Sequence, residues 1–487
     1  MQNVRIIFRF CAALPLLVSV GLTQASDFND RQATTLSDKL LSALVEANGV
    51  VGMGAAIWRD DKVIWTGSTG HRDIEKGLRV DRETIFRLAS VSKLITATAA
   101  ARLKQDNLLD VDRPVATILP YLSTNWAPLT SRQLAAHTSG LPHYQLIDMN
   151  RGGTRFATTR EAVGVFRDRE LLSAPGSKYF YSSWGYTLLS AVIEQRAGMP
   201  FLDYVATRIT PGLVIVADAT DTTNPAASRA YGFVEGKARP AAAHDYSYTW
   251  GGGGFGASPQ ALVEFGGRLM RGEIVSPATL AWMMSPAKLS DGSIVKDTDY
   301  AIGFGWRTAT EPDGERIAHH AGVTTGARSA LVLWPERSIA VSLLSNTQWV
   351  SSIEQTAMLL AAPFRPAPTG LIARACPLDV KRYEGQFGDK AIVGMARFFM
   401  EEALCVGELS VGNSLGEFLN GFPQKDATSI RIIGLDAKGG FSRAALITPI
   451  GMFDLRAQAG GGYVSRLGGT RSLALAFKQD EPKGQTQ

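Results

Sequence analysis

Phe86-Arg-Leu-Ala-Ser-Val-Ser-Lys93 runs directly into Leu94-Ile-Thr-Ala-Thr-Ala-Ala-Ala-Arg-Leu103. The second part is rich in alanine and leucine and holds neither glycine nor proline, so its propensities predict a helix of about ten to fourteen residues with Ser90 near the first turn. Ser90 and Lys93 then share one face. A seryl oxygen placed there sits beside an ammonium and near the positive end of the helix dipole, two influences that favour an alkoxide-like nucleophile. The plainer reading is an N-capping serine with a solvated lysine. Ser-x-x-Lys alone does not decide between them, because Ser285-Pro-Ala-Lys288 and Ser293-Ile-Val-Lys296 carry the same spacing. Both of those lie among Pro, Gly and Asp with no long apolar helix behind them, which leaves only Ser90 with a rigid seat.

The 487 residues are 45% hydrophobic and 20% charged, ordinary globular values that exclude a disordered or fibrous chain and suit two or three domains. Arg5 and Arg9, the apolar run of residues 11–20 and Thr23-Gln-Ala25 follow the order of a secretory signal, so residues 1–25 are expected to be one, cleaved after Ala25. That run is too short for a stable membrane anchor, and no later stretch approaches 18 uninterrupted apolar residues. The expected product is periplasmic or secreted, with no membrane span once the signal leaves. The net charge is +5, and no stripe of Lys and Arg is interleaved with aromatics, so no nucleic-acid partner is expected. Cys376 and Cys405 remain after the signal. In an oxidising compartment a bridge between them would close a loop of about 30 residues, worth roughly 3 to 4 kcal/mol; the spacing leaves open whether the side chains meet.

Residues 31–48 carry Leu36, Leu40, Leu41, Leu44 and Val45 at three- and four-residue intervals, which predicts an amphipathic helix ended by Gly49. Residues 51–58 and 63–66 flank Arg59-Asp-Asp-Lys62 as a hairpin. Residues 105–290 read as mainly helical. A second strand cluster follows over residues 300–344, with segments 303–310, 316–320, 330–334 and 338–344, and a helix over 351–362. One domain over residues 26–362 is therefore expected, its sheet built from both ends and a cleft between sheet and helical middle. Residues 363–370 read as a linker. Residues 371–478 read as a separate all-β, barrel-like domain with strands at 430–433, 444–447, 452–457, 463–467 and 473–477, and residues 479–487 as a loose tail.

Two further segments join the first. One is Ala174-Pro-Gly-Ser-Lys-Tyr-Phe-Tyr181-Ser-Ser183-Trp-Gly-Tyr, and the other is His319-His320-Ala-Gly322-Val-Thr-Thr-Gly326, with Leu343-Leu-Ser-Asn346 after it. In this order the chain, over roughly residues 35–362, resembles the serine β-lactamase and penicillin-recognising family, in its class C and esterase-like branch. His137-Thr-Ser-Gly-Leu-Pro-His-Tyr144 resembles the lactamase-like serine hydrolases of that branch, a mitochondrial serine protease among them. The resemblance implies an α+β fold: an antiparallel sheet flanked by helices, with a mainly helical subdomain. It makes Ser90 the acylated nucleophile, Lys93 its activating partner and Tyr181 the proton shuttle, with His320 beside them. The N–H groups of Ser90 and Val323 would form the oxyanion hole. Gly322 would let its strand approach without a Cβ. A phenol near pKa 10 is a useful base only if cations lower it, and Lys93 with His320 would do so. The plainer readings are a core aromatic for Tyr181 and a surface strand residue for His320.

Two departures bear on substrate. Ser183 stands where β-lactam-destroying class C enzymes carry Asn, and His320-Ala321 stand where they carry Lys and a hydroxyl residue. Ser183, Ala321 and Gly322 are thus the expected substrate-binding positions, stripped of the amide and the charge that hold a β-lactam. Other motifs fail on context. Gly412-Asn-Ser414-Leu-Gly416 imitates a nucleophile elbow but has no histidine after it. Gly251-Gly-Gly-Gly-Phe-Gly256 lacks a buried strand before it and reads as a flexible turn leading to a helix capped by Ser258. The histidines show no zinc spacing, so neither metal nor cofactor is expected. The sequence thus predicts an exported serine hydrolase that works through an acyl-enzyme on peptide, amide or ester bonds of a small-molecule or peptide substrate. A true β-lactamase or DD-carboxypeptidase is the nearest alternative, and an acylated sensor or a scaffold protein is the alternative outside enzymes. Oligomeric state is not legible.

Overall fold

Capping and periodicity set the first helix, Asp30–Asn48. Asn29 and Gln32 exchange side-chain and backbone hydrogen bonds at its start, and Gly49, at φ 67°, ends it. The computed structural model describes residues 28–122, 126–149, 153–217, 224–348, 353–411, 429–466 and 472–479. The expected signal at residues 1–25, Ser414 and all but the first residue of the expected tail lie outside the described residues.

The hairpin Gly52–Arg59 and Lys62–Asp73 turns at Asp60 and Asp61, both at positive φ, the left-handed conformation that Asp tolerates. It joins a nine-stranded antiparallel sheet in the order Leu78–Arg79, Lys62–Asp73, Gly52–Arg59, Ile339–Ser345, Ala327–Trp334, Arg316–Thr324, Arg307–Thr310, Tyr300–Ile302, Lys296–Asp297. Strands from both chain ends meet where Gly52–Arg59 pairs with Ile339–Ser345. Alternate residues serve two cores. Met53, Ile57, Val332 and Val341 face a layer made by Asp30–Asn48 and Ile353–Ala361, while Trp58, Leu331, Leu333 and Ala340 face the helical middle. Residues 303–310, expected as one strand, divide at a Gly303–Trp306 turn, with Gly305 at φ 90°. The strand expected over 316–320 continues to Thr324.

The helix Ser92–Gln105 is buried nearly all round, because it runs through the helical middle beside Ser183–Ala197 and the turn Trp250–Gly253. The glycine run expected as a flexible turn is a buried helical turn, Trp250–Gly253. A Cβ at Gly251 would lie 2.7 Å from the Tyr186 carbonyl oxygen, and one at Gly252 2.9 Å from that of Ser183. Glycine at both positions is what lets the turn press against the helix Ser183–Ala197.

Eight strands, from Arg382–Phe387 to Ser472–Lys478, close into a barrel. Its first three, Arg382–Phe387, Lys390–Glu401 and Leu404–Ser410, are absent from the sequence expectation, because glycines and alternating charges mask their inward-facing Tyr383, Phe387, Ile392 and Phe398. Those side chains fill the interior and leave a void of only about 10 Å³. Cys376 and Cys405 are bonded, with Cα atoms 5.5 Å apart. The barrel shares a core with the rest: Leu404, Val406, Ile433 and Ile447 pack in one cluster with Leu40, Leu44, Ile353 and Leu360. The start of the expected linker is also packed. Phe364 is buried, and Arg365, 5% exposed, lies 4.0 Å from the Trp334 ring centroid and donates to Glu311 and Glu315.

Candidate active site

The chain reaches Ser90 along Phe86–Arg87, which pairs with Phe255–Ala257, and the Leu88 N–H donates to the Phe255 carbonyl at 2.8 Å. Ala89 then takes φ 45°, a left-handed conformation that costs a residue with a Cβ about 1 to 3 kcal/mol. Ser90 sits in the single 3-10 turn Ala89–Val91 that leads into the helix, and no side-chain cap bond forms at either helix start. Its hydroxyl is therefore not spent on capping.

Lys93 follows one turn later and is 0% exposed. Its Nζ lies 3.2 Å from Ser90 Oγ, 2.8 Å from Ser183 Oγ and 2.6 Å from the Gly252 carbonyl oxygen. Three acceptors match the three protons of an ammonium. Among the described residues no carboxylate forms an ion pair with it. The same Nζ stands 4.9 Å from the Tyr181 ring centroid and 5.5 Å from that of Tyr186. Burial lowers the Lys93 pKa, and the opposing pull of Tyr181 does not restore it.

Tyr181 lies just ahead of the helix Ser183–Ala197, whose N-cap, Ser182, accepts from the Gly185 N–H at 3.1 Å. Burial raises the phenol, but the nearby charges of Lys93 and Arg307 outweigh it, so Tyr181 is held below its ordinary value. Two histidines brace this corner. His137, at φ 58°, has its ring 4.4 Å from that of Tyr181, and its Nδ1 accepts from the Ser182 N–H at 3.1 Å. His143 Nδ1 accepts from the Ser183 N–H at 3.2 Å, and its ring meets Tyr181 edge-on at 5.3 Å. Burial and the Lys93 charge keep both below the usual imidazole range.

The third wall is the strand Arg316–Thr324. His319 and His320 point to opposite faces. The His319 ring contacts that of Tyr300, on the strand Tyr300–Ile302 of the same sheet, whereas the His320 ring lies 6.4 Å from Tyr181. His320 Nδ1 donates to the Ala321 carbonyl at 2.7 Å, which leaves Nε2 as an acceptor in the neutral ring. Burial, with Arg307 and Lys93 nearby, pushes the His320 pKa well down. His320 is therefore not the second cation that the sequence reading assigned to Tyr181. That cation is Arg307, its guanidinium 5.5 Å from the Tyr181 ring centroid. At Gly322 a Cβ would lie 2.4 Å from the Leu88 carbonyl oxygen and 2.9 Å from the Ser90 nitrogen, so strand and nucleophile turn touch. Val323, next along, has its side chain in solvent, 46% exposed. Ala321 is partly buried.

Ser90, Lys93, Tyr181, Ser183 and His320 thus meet in one place, with Gly322 against the nucleophile turn and Ala321 and Val323 on the same strand. Sequence reading missed Arg307, His137, His143 and the Gly252 carbonyl as members. The segment from His137 to His143 carried the signal for two of them, and a lone arginine after Trp306 carried none. Among the described residues no cluster of three or more His, Cys, Asp or Glu could hold a metal ion.

A serine and a lysine one helical turn apart, walled by a tyrosine loop and a glycine-bearing edge of an antiparallel sheet, define a serine hydrolase of the penicillin-recognising class. The chain belongs to the β-lactamase family, whose model matches residues 37–358. The human mitochondrial serine beta-lactamase-like protein LACTB is 25% identical over 438 aligned residues, covering 68% of this chain and 80% of its own. An octameric penicillin-binding protein homologue from Pyrococcus abyssi matches 90% of this chain and 99% of its own with a TM-score of 0.58 at 20% identity. D-amino acid amidase from Ochrobactrum anthropi SV3 matches 65% and 91% with a TM-score of 0.56 at 24% identity. At these identities the two structures speak for the fold.

Proposed function

We propose that the protein is an exported acyl-transferring hydrolase of amide or ester bonds, with Ser90 as nucleophile. The observation that carries this is the Lys93 amine, buried with no carboxylate counterion among the described residues and within hydrogen-bonding distance of Ser90 Oγ. In the first step Ser90 Oγ bonds to the substrate carbonyl carbon while its proton passes to Tyr181, whose phenolate Lys93 stabilises. The carbonyl oxygen becomes an oxyanion held by the N–H groups of Ser90 and Val323. Tyr181 then gives the proton to the departing amine or alcohol, which breaks the old bond and leaves an acyl-Ser90 ester. Water, deprotonated by the same phenolate, hydrolyses that ester.

The substrate reading is a peptide, a D-amino-acid amide or a small ester rather than a β-lactam. A neutral His320 brings no charge to a substrate carboxylate, and Ser183 brings no amide. Residues 1–25 would direct export. The test is incubation with a fluorophosphonate followed by mass spectrometry, together with turnover of a chromogenic ester and peptide panel by wild type and S90A. A single adduct on Ser90 and loss of turnover in S90A are expected; full turnover by S90A overturns the proposal. Nitrocefin turnover or release of D-alanine would move the assignment to a β-lactamase or DD-carboxypeptidase. A stable adduct without turnover would make the protein a sensor.

A further inference from the structure

Tyr181 has two cations against it, and only one belongs to the Ser-x-x-Lys pair. The other, Arg307, opens the strand Arg307–Thr310 directly after the Gly303–Trp306 turn. That turn is seated on the nucleophile helix. A Cβ at Gly305 would lie 2.4 Å from the Ala97 Cβ, and Trp306 is fully buried. Arg307 has therefore little freedom at its root. Its far end is clamped as well: Nη2 and Nε donate to Asp297 Oδ2 at 2.7 and 3.2 Å, and the same oxygen accepts from the Tyr179 hydroxyl at 2.9 Å. The guanidinium plane is fixed by this fork while its carbon stays 5.5 Å from the Tyr181 ring centroid.

Among the described residues, the other groups around Tyr181 bring no charge. His137 and His143 from the bracing loop and His320 from the sheet are all kept neutral, by burial above all and by the neighbouring cations. Burial likewise raises Tyr179 on its own segment and Tyr186 on the following helix, so both stay protonated. The charge acting on the phenol comes from Lys93 and Arg307, tempered by the carboxylate of Asp297 on the far side of the guanidinium.

We propose that Arg307, clamped by Asp297 and Tyr179, is a positioning residue of the reaction: it fixes a second positive charge against Tyr181 and keeps the phenol oxygen able to accept the Ser90 proton. This rests on the reading of Tyr181 as the base. It explains how the site works with a neutral His320 where class C enzymes carry a lysine, since the missing charge arrives from the neighbouring strand.

The experiment is the pH profile of kcat/KM on a p-nitrophenyl ester for wild type, R307Q, R307K, D297N and Y181F, with far-UV circular dichroism to check folding. The acid limb reports deprotonation of the Tyr181–Lys93 pair, and removing a positive charge raises the pKa of either member. In R307Q the limb is expected to move up by about one to two pH units, and R307K to return most of the way. D297N, which removes the tempering negative charge, is expected to move the limb down. A merely structural role would lower activity in R307Q and D297N without opposite displacements. An unmoved limb in folded R307Q overturns the inference, and if R307Q does not fold, an unmoved or raised limb in D297N overturns it. Full activity in Y181F would instead overturn the assignment of Tyr181 as base, which separates the two failures.

Discussion

Gly322 and Ser90 are in backbone contact: a Cβ built on the glycine would lie 2.9 Å from the serine nitrogen. It would also stand 2.4 Å from the Leu88 carbonyl oxygen and 2.3 Å from Ser329 Oγ. Two segments more than 200 positions apart thereby share one wall, with no room for a side chain between them.

For G322A, either the strand or the Ser90 turn must retreat, and the N–H groups of Ser90 and Val323, the proposed oxyanion donors, separate. A kcat lower by about 100-fold or more is expected, the scale of losing one oxyanion donor. Stability should fall by only about 1 to 3 kcal/mol, as for other overpacking changes. Steady-state kinetics beside urea unfolding checks both, and unchanged kcat in a folded variant would refute the close contact.

Ser183 supplies one of the three acceptors around Lys93, at 2.8 Å. Hydrogen bonds to a charged partner contribute about 1.5 to 3 kcal/mol. S183A is therefore expected to lower kcat/KM by about 10- to 100-fold. Helix Ser183–Ala197 keeps its own cap, Ser182, so the circular dichroism spectrum should not change.

His319 is 1% exposed, and neither ring nitrogen has a hydrogen-bond partner among the described residues. Burial, with Arg307 nearby, pushes its pKa down to about 3. The unfolded chain takes up this proton below about pH 6.5, whereas the folded protein does not until about pH 3, so acid favours unfolding over that window. H319F, which keeps a ring against Tyr300, removes the effect. The stability of H319F relative to wild type should rise by about 2 kcal/mol between pH 7 and pH 5, read from urea midpoints.

Arg365 donates to Glu311 and, at 2.7 Å, to Glu315, and Trp334 Nε1 also donates to Glu311, at 2.7 Å. R365A would leave a buried carboxylate without its cation, which costs about 3 to 5 kcal/mol. Adding E311Q should recover part of that loss, because the unpaired charge goes with it. Thermal melts of R365A and the double variant decide this, and a neutral R365A would mean that residues 363–370 are a free tether after all.

How much was legible from the chain depends on how local each signal is. The amphipathic spacing of Leu36 to Leu44 and the Ala-rich run after Lys93 specify helices by themselves, since their periodicity and propensity act within a few residues. The three motif segments could be matched to a family because each needs a fixed local shape: a helix start, a loop ahead of a second helix, and a strand carrying a glycine. The barrel's first three strands escaped because Tyr383, Ile392 and Phe398 alternate with exposed residues and glycines, so their apolar face exists only after closure.

The sequence by itself named candidate residues for the chemistry, located the helices that follow Asn29 and Ser90, and placed β-structure beyond residue 429. Tertiary structure alone decided the electrostatics. Whether an imidazole is charged depends on the water and the cations around it, and folding buries His320 while bringing Arg307, from another strand, against Tyr181. It decided equally that Cys376 meets Cys405 and that the barrel shares a core with the sheet. Contact between residues distant in sequence is fixed by how layers pack, and spacing along a chain does not encode it.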